Sequence, residues 1–427
     1  MSEQLYADVT AIFEAALRGV DPFRLVRGSL RVKEGLLVVG SPTRGAVLPL
    51  RSLFVAGAGK ASAGMAAAVA SRVPEARGLV IRPPGGAPNP SGGIRQFEGN
   101  HPTPGMESFH AAEALLEAVA RTPEDTDVLF LLSGGASALL SQPCPGISRD
   151  QKMSFTEQML RAGAPIGLLN RARMRLSALK GGRFLDRVAP RRVTTLALSD
   201  VPGGARWEIG SGPTCSPPKR IWAEDLRPEL RRLLGGEALT PELEQRMGPG
   251  VSPAGSDSPG PWLSIGDNTR ARQAAAREAR RRRYGTRVSR YRLRGEASVA
   301  ADQVLAELAI QPESVSCVVF GGETTVAVGD ASGSGGRSQE LALAAVPGLS
   351  GGGWVLLAAG TDGVDGVSGA AGGVVGPGTL PFLGSRAVAA GLRAHDSATV
   401  LAKAGGLLVT GPTGTNVGDL VVAVRSA

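Results

Sequence analysis

Apolar residues recur near every 3.6 positions over 4–20, with Leu5, Val9, Ile12, Phe13, Ala16 and Leu17 on one side. That period predicts an amphipathic helix. From about residue 51 it gives way to short, wholly apolar runs separated by small-residue stretches. Leu53-Phe54-Val55-Ala56 predicts a buried strand, Gly57-Ala58-Gly59-Lys60 a turn, 61–71 a helix, and Gly78-Leu79-Val80-Ile81 the next strand. Runs at 127–132 and 194–198 predict two more strands, ended by Ser133-Gly134-Gly135 and Ser199-Asp200. Strands apolar throughout, alternating with helices, imply a parallel sheet covered on both faces.

The Gly/Pro/Ser-rich stretch 248–260 breaks this rhythm and is the linker candidate. Beyond it the pattern resumes, with a strand at 262–265, a helix at 269–284, and a strand at 315–320 ending in Gly321-Gly322. Further strands at 355–359 and 407–410 end in Gly360-Thr361-Asp362 and Gly411. The expected organisation is two α/β lobes, 1–247 and 261–427, with ligand loops at the strand C-termini.

Composition narrows the class. Hydrophobic residues at 42% and charged residues at 20% describe a globular chain and exclude disorder or a coiled coil. Glycine, 60 of 427 residues, is about twice the usual share but follows no collagen period. No apolar run reaches the roughly 18 residues of a membrane span. The start Met1-Ser2-Glu3-Gln4 does not read as a signal peptide. Three scattered cysteines, Cys144, Cys215 and Cys317, fit a reducing cytoplasm and no structural zinc.

The net charge of +9 is almost all arginine, densest at Arg270, Arg272, Arg277 and Arg280–Arg283. Interleaved Ala274, Ala275, Ala276 and Ala279, with no aromatic platform, favour a solvated helix face over a nucleic-acid footprint.

The candidate chemistry lies in the glycine-rich turns. Gly57-Ala58-Gly59-Lys60-Ala61-Ser62 is not a P-loop, since Phe54 stands where its first Gly belongs and Ala61 where Ser or Thr would bind Mg²⁺. As a dinucleotide fingerprint it lacks the third Gly, and the acidic residue expected near Arg82 is missing. What remains is Lys60 on a Gly turn where a helix begins, either an anion site or a surface lysine on a tight turn.

Ser133-Gly134-Gly135-Ala136-Ser137 lets a ligand approach the backbone, or is simply a βα turn. Asp200 and Asp362 follow strands in opposite expected lobes, and Asp365 comes three residues after Asp362. Such carboxylates suit Mg²⁺, a proton acceptor, or Asx-turn and N-cap duty. Arg337 sits in the Gly-rich loop 333–340 like a phosphate clamp. The nest Thr410-Gly411-Pro412-Thr413-Gly414-Thr415-Asn416 suits phosphate or sugar oxygens. His101, in Asn100-His101-Pro102-Thr103-Pro104, reads as structural. Together these features favour phosphoryl transfer by positioning and charge.

These motifs resemble the class II glycerate kinases, the glycerate 2-kinase or MOFRL family, across nearly the whole chain. The match runs in order through Gly59-Lys60-Ala61, His101-Pro102-x-Pro104, Ser133-Gly134-Gly135-x-Ser137 and Leu176-Ser177-x-x-Lys180-Gly181-Gly182. It continues through Ser199-Asp200-Val201-Pro202-Gly203, Ser211-Gly212-Pro213-Thr214, Gly266-Asp267-Asn268 and Gly321-Gly322-Glu323-Thr324-Thr325. Gly335-Gly336-Arg337-x-Gln339-Glu340, Gly360-Thr361-Asp362-Gly363-x-Asp365-Gly366 and the nest at 410–417 complete it.

The resemblance implies an N-terminal Rossmann-like doubly wound domain and a C-terminal MOFRL domain, with the active site in the cleft between them. It implies ATP-dependent, Mg²⁺-requiring phosphorylation of D-glycerate to 2-phosphoglycerate in the cytoplasm, with no nucleic-acid or membrane partner and a homodimer left open. Lys60, Arg337, Asp200 and Asp362 match the catalytic positions, and the two Asp are the metal candidates. Gly59, Ser133, Gly134, Gly135, Ser137, Asn268, Glu323, Thr324, Thr413, Thr415 and Asn416 are the candidates for binding substrate or nucleotide.

The chain departs from the pattern at Gly105, Gly204, Ala205, Gly369 and Gly418, where the family usually carries Asp or Asn, and at Arg173-Met174-Arg175. These departures leave another small sugar acid as an alternative acceptor. An NAD(P)-dependent hydroxypyruvate reductase is the other alternative.

Overall fold

The computed structural model describes residues 2–41, 44–85, 91–201, 203–250, 260–329 and 331–426. Residues 251–259 of the expected linker, and Pro202 of the Ser199–Gly203 loop, lie outside the described residues. The chain forms two compact units, one of Pro22–Ser199 and Gly203–Ile265, the other of Met1–Asp21, Asp200–Pro202 and Gly266–Ala427.

In the first unit β1 (Leu30–Lys33), β2 (Leu36–Ser41) and β3 (Arg44–Pro49) make an antiparallel meander. A six-stranded sheet follows, built from β4 (Leu53–Ala58), β5 (Arg77–Arg82), β6 (Gly93–Glu98), β7 (Asp127–Ser133), β8 (Arg192–Leu198) and β9 (Trp262–Gly266). Its order is β6-β5-β4-β7-β8-β9, with β4 to β8 parallel. β4 and β7 are buried along their whole length, as their unbroken apolar sequence requires. The winding reverses between β4 and β7, the switch point at which doubly wound sheets open a crevice for ligands.

A helical layer in the same unit packs Phe155, Met159, Leu168, Leu169, Leu230 and Leu243 together. Arg175, fully buried, ties that layer by donating to the carbonyls of Met247 (2.8 Å), Gly248, Ile221 (3.3 Å), Trp222 (3.3 Å) and Glu224.

The second unit contains β10 (Thr286–Glu296), β11 (Cys317–Thr325), β12 (Trp354–Gly360), β13 (Gly372–Val375), β14 (Leu407–Leu408) and β15 (Asp419–Arg425), ordered β10-β11-β15-β12-β13-β14. The apolar rhythm suggests a parallel sheet here too, but this one is mixed. β15 enters the middle antiparallel to both β11 and β12, and the strand expected at 407–410 shrinks to the two-residue β14.

The helix at the start of the chain, Ser2–Gly19, belongs with this second unit, although the sequence division assigns 1–247 to the first lobe. The physical cause is its fit to helix Asn268–Arg281. Gly19 meets that helix so closely that a Cβ there would lie 2.3 Å from Ala274 Cβ. Buried Asp8 accepts hydrogen bonds from Arg282 Nη1 and from Tyr284 Oη at 2.6 Å. Several arginines of the basic run are spent the same way, Arg270 on the Gly19 carbonyl, Arg272 on Ser289 and Arg281 on Glu278.

Asp8→Ala should therefore cost about 1–3 kcal/mol of stability, because it removes the buried acceptor of the half-buried Arg282 guanidinium and Tyr284 phenol, Arg282 keeping Glu278. Urea unfolding monitored by circular dichroism measures the loss, and a change under about 0.5 kcal/mol would refute the account.

Candidate active site

At the switch point the turns after β4 and β7 are stitched to each other. Lys60 N–H donates to the Gly134 carbonyl at 2.8 Å and Ala61 N–H to Ser133 Oγ at 2.9 Å. Gly59 adopts φ +137, and a Cβ there would lie 2.1 Å from Ser133 Oγ, so only glycine allows this approach. Gly135, at φ +84, has Lys60 Cγ and His101 Cδ2 at 3.1 and 3.2 Å from where its Cβ would stand. Lys60, half-buried, and the His101 ring thus converge over one glycine at the end of β7.

Ser137 Oγ lies 2.9 Å from Ser211 Oγ, and Ser211 donates to Asn170 Oδ1 at 3.0 Å, so this part of the turn is tied into a polar chain. Nearby, two fully buried lysines hold backbone carbonyls, Lys152 on Leu176 (2.9 Å) and Lys180 on Leu140 (2.8 Å). Burial lowers both lysine pKa values, that of Lys152 to about 7.

The second unit gathers its functional side chains where β11 and β12 end and β15 begins, with Asp419 opposite both Gly322 and Gly360. Arg337 opens helix Arg337–Leu349 and grips Asp419 with two prongs, Nε to Oδ2 and Nη2 to Oδ1, each at 2.8 Å. Its Nη1 donates to Glu323 Oε1 at 3.0 Å. Burial opposes the Arg337 cation, but Asp419 and Glu323 outweigh it and raise its pKa. Burial pushes the Asp419 carboxyl up, to about 7, against the pull of Arg337. Two prongs at 2.8 Å are the geometry of a charged pair, and we take the pair as charged.

Asp365 caps the same helix. Its carboxylate accepts from the N–H groups of Ser338 (3.1 Å) and Gln339 (2.8 Å), which is N-cap duty. Asp362 Oδ1 accepts from Val364 N–H at 3.2 Å, an Asx turn at the end of β12. Asp200 is not in the opposite lobe from Asp362. It groups with the second unit, where Asn416 Nδ2 lies 3.5 Å from its Oδ2.

Asn268 is bound to the carbonyls of Val417 and Asp419 at 3.0 and 2.9 Å, and Thr415 to that of Val20 at 2.8 Å, so both brace the fold. Thr413 Oγ1 likewise donates to the Thr361 carbonyl at 2.5 Å. Thr324 N–H points at Asp419 Oδ2, 3.3 Å away. Among the described residues no three His, Cys, Asp or Glu side chains are grouped to hold a metal ion.

Comparison with known proteins fits this architecture. A family model described as a domain of unknown function, DUF4147, matches residues 8–233, and the MOFRL family model matches 316–419. A D-glycerate 2-kinase from Thermotoga maritima is 34% identical over 359 residues, covering 82% of this chain and 84% of the relative. The chain belongs to the class II glycerate kinase family.

The crystal structure of a glycerate kinase from Thermotoga maritima matches with a TM-score of 0.77 at 29% identity, covering 99% of this chain and 100% of that one. A family relative from Agrobacterium vitis, 34% identical and covering 96% of this chain and 92% of its own, carries the provisional name hydroxypyruvate reductase.

For this glycerate kinase family member, the residue that sequence reasoning missed is Asp419. Its one local signal is an Asp opening the apolar run Leu420–Val424.

The buried lysines generate a pH test. Between about pH 7 and 10 the unfolded chain holds a proton on Lys152 that the folded chain does not, so this group makes stability rise with pH across that window. The stability difference between wild type and Lys152→Met should shift toward wild type as pH is raised from 7 to 10. Urea titrations at fixed pH values would show a flat difference if the lysine is not so perturbed.

Proposed function

We propose that this protein transfers the terminal phosphoryl group of ATP to the 2-hydroxyl of D-glycerate, giving 2-phosphoglycerate. Membership of the glycerate kinase family is the observation that carries this reading. The turn geometry around Lys60 supports it. Lys60 stands at the switch point of a doubly wound sheet, beside turns held too close for any side chain but glycine's hydrogen. An ammonium there attracts phosphate oxygens, with Gly59, Ser133, Gly134, Gly135 and Ser137 forming the surrounding turns.

In the other unit, Arg337 offers a cation pre-oriented by Asp419 and Glu323, with Thr324, Asn268, Thr413, Thr415 and Asn416 shaping the loops about it. Negative charge spreads over the phosphate oxygens during transfer, so fixed cations stabilise the transition state beyond the ground state.

We assign Mg²⁺ to the half-buried carboxylates of Asp200 and Asp362. Both are hard oxygen donors in the same unit, and Mg²⁺ binds through one or two carboxylates plus phosphates and water. Bound there, Mg²⁺ would neutralise phosphate charge. Among the described residues no helix is long and apolar enough to cross a membrane. The cysteines described are all free, and we place the enzyme in the cytoplasm.

A coupled ADP-release assay over a panel of small hydroxy acids tests the activity. NADH or NADPH oxidation with hydroxypyruvate, and no ATP turnover with any acid, would instead support a reductase. Lys60→Ala and Arg337→Ala should each lower kcat by at least about 10²-fold, with smaller changes in ATP affinity. Arg337→Lys should recover little, because a point charge cannot replace a planar fork. Unchanged kcat in a folded variant would remove that residue from the mechanism.

Asp200→Asn and Asp362→Asn should raise the Mg²⁺ concentration needed for half-maximal rate. Wild-type rates at every Mg²⁺ level in both variants would make the carboxylates structural.

A further inference from the structure

One cation of the first unit has donors that the described residues leave unused. Arg173 lies on helix Ile166–Arg175 and is half-buried. Among the described residues its guanidinium makes one long hydrogen bond, Nη2 to the Pro102 carbonyl at 3.4 Å, and its buried Nε has no acceptor. Burial lowers its pKa to about 10, and among the described residues no carboxylate opposes that.

Its helix neighbours show the contrast. Arg171 pairs with Glu224 at 3.0 Å and Glu229 at 3.4 Å, and Arg175 fills its donors with five carbonyls. An arginine carries five N–H donors in a planar fork, and leaving them unmet in a partly buried place is costly.

The position of that fork is informative. Pro102 follows His101, whose ring meets Gly135 from the same side as Lys60. Arg173 therefore reaches from the helical layer to the loop flanking the switch-point turns. Lys152 and Lys180 lie in the same helical layer, each donating to one carbonyl among the described residues. Arg337, an arginine fork at a glycine-rich turn of the second unit, already has its charge matched by Asp419 and Glu323. A small hydroxy acid has a single charged group with which to be oriented, and a planar fork matches a carboxylate in two contacts.

We propose that Arg173 anchors the carboxylate of the acceptor acid, holding it so that its hydroxyl faces the switch-point turns. The inference rests on the kinase reading above. Nucleotide phosphate shares this chemistry, and the test separates the two.

Wild type, Arg173→Met and Arg173→Lys are compared in steady state with D-glycerate and with its primary amide, which lacks the charge. KM for D-glycerate should rise about 10- to 100-fold in Arg173→Met, the loss of a hydrogen bond to a charged group. KM for ATP should stay within about twofold. The amide should be used equally poorly by wild type and Arg173→Met, so that the two changes are not additive. Arg173→Lys should recover only a small part.

A raised KM for ATP with an unchanged KM for D-glycerate would make Arg173 a phosphate contact and overturn the proposal. Equal losses with acid and amide would make it structural and also overturn it. If Arg173→Met does not fold, the acid-over-amide preference must still fall from wild type to Arg173→Lys, and an unchanged preference refutes the anchor. If wild type phosphorylates no acid, the kinase reading fails instead. Calorimetric binding of D-glycerate to wild type and the Lys variant then decides Arg173 separately, with equal affinity counting against it.

Discussion

The first unit depends on a contact that leaves no space. Gly59 and Ser133 end neighbouring parallel strands and approach until a single added carbon would collide with a hydroxyl. Two hydrogen bonds from backbone N–H groups then lock the turns, so the direction in which the Lys60 Cα–Cβ bond leaves the chain is set by the sheet. A site built on strand ends in this way inherits the rigidity of a buried parallel sheet. The backbone that carries the lysine therefore needs no ordering when a ligand arrives.

The second unit solves a different problem. A guanidinium in a buried place needs carboxylates to stay charged, and carboxylates there need a cation. Arg337, Asp419 and Glu323 satisfy one another, and Asp365 fixes the helix end from which Arg337 projects. The fork is positioned by charge at one end and by backbone capping at the other. Gly336 admits the arrangement, since a Cβ there would fall 2.4 Å from the Asp365 carboxyl carbon.

The sequence was legible where a single short window carries the signal. The strand read at 127–132 is Asp127–Ser133, and the one at 194–198 is Arg192–Leu198, because buried parallel strands are apolar throughout. The Lys60 and Arg337 turns were legible because glycine clusters stand out locally. Pairings between distant segments were not. Asp419 lies 82 residues beyond Arg337, and no periodicity links them. The meander β1–β3 buries Leu37 and Val39 in alternation, too brief a pattern to stand out. Which sheet the first helix joins is decided by the fit of Gly19 to Ala274, a property of two surfaces rather than of either sequence.

The place of β15 and of helix Ser2–Gly19 has a consequence for how the chain is made. On the ribosome, β11 and β12 emerge with facing edges bare, and the strand between them arrives only with residues 419–425. The first helix presents Val9, Ile12 and Phe13 long before helix Asn268–Arg281 exists to cover them. At about 5–20 residues per second that interval is on the order of ten seconds or more. Through that time the nascent chain carries an amphipathic helix with its apolar face uncovered and later an open sheet gap, both of the kind that invite mispairing. Correct assembly of the second unit is thus a late event, closed by insertion into the middle of a sheet rather than by growth at its edge.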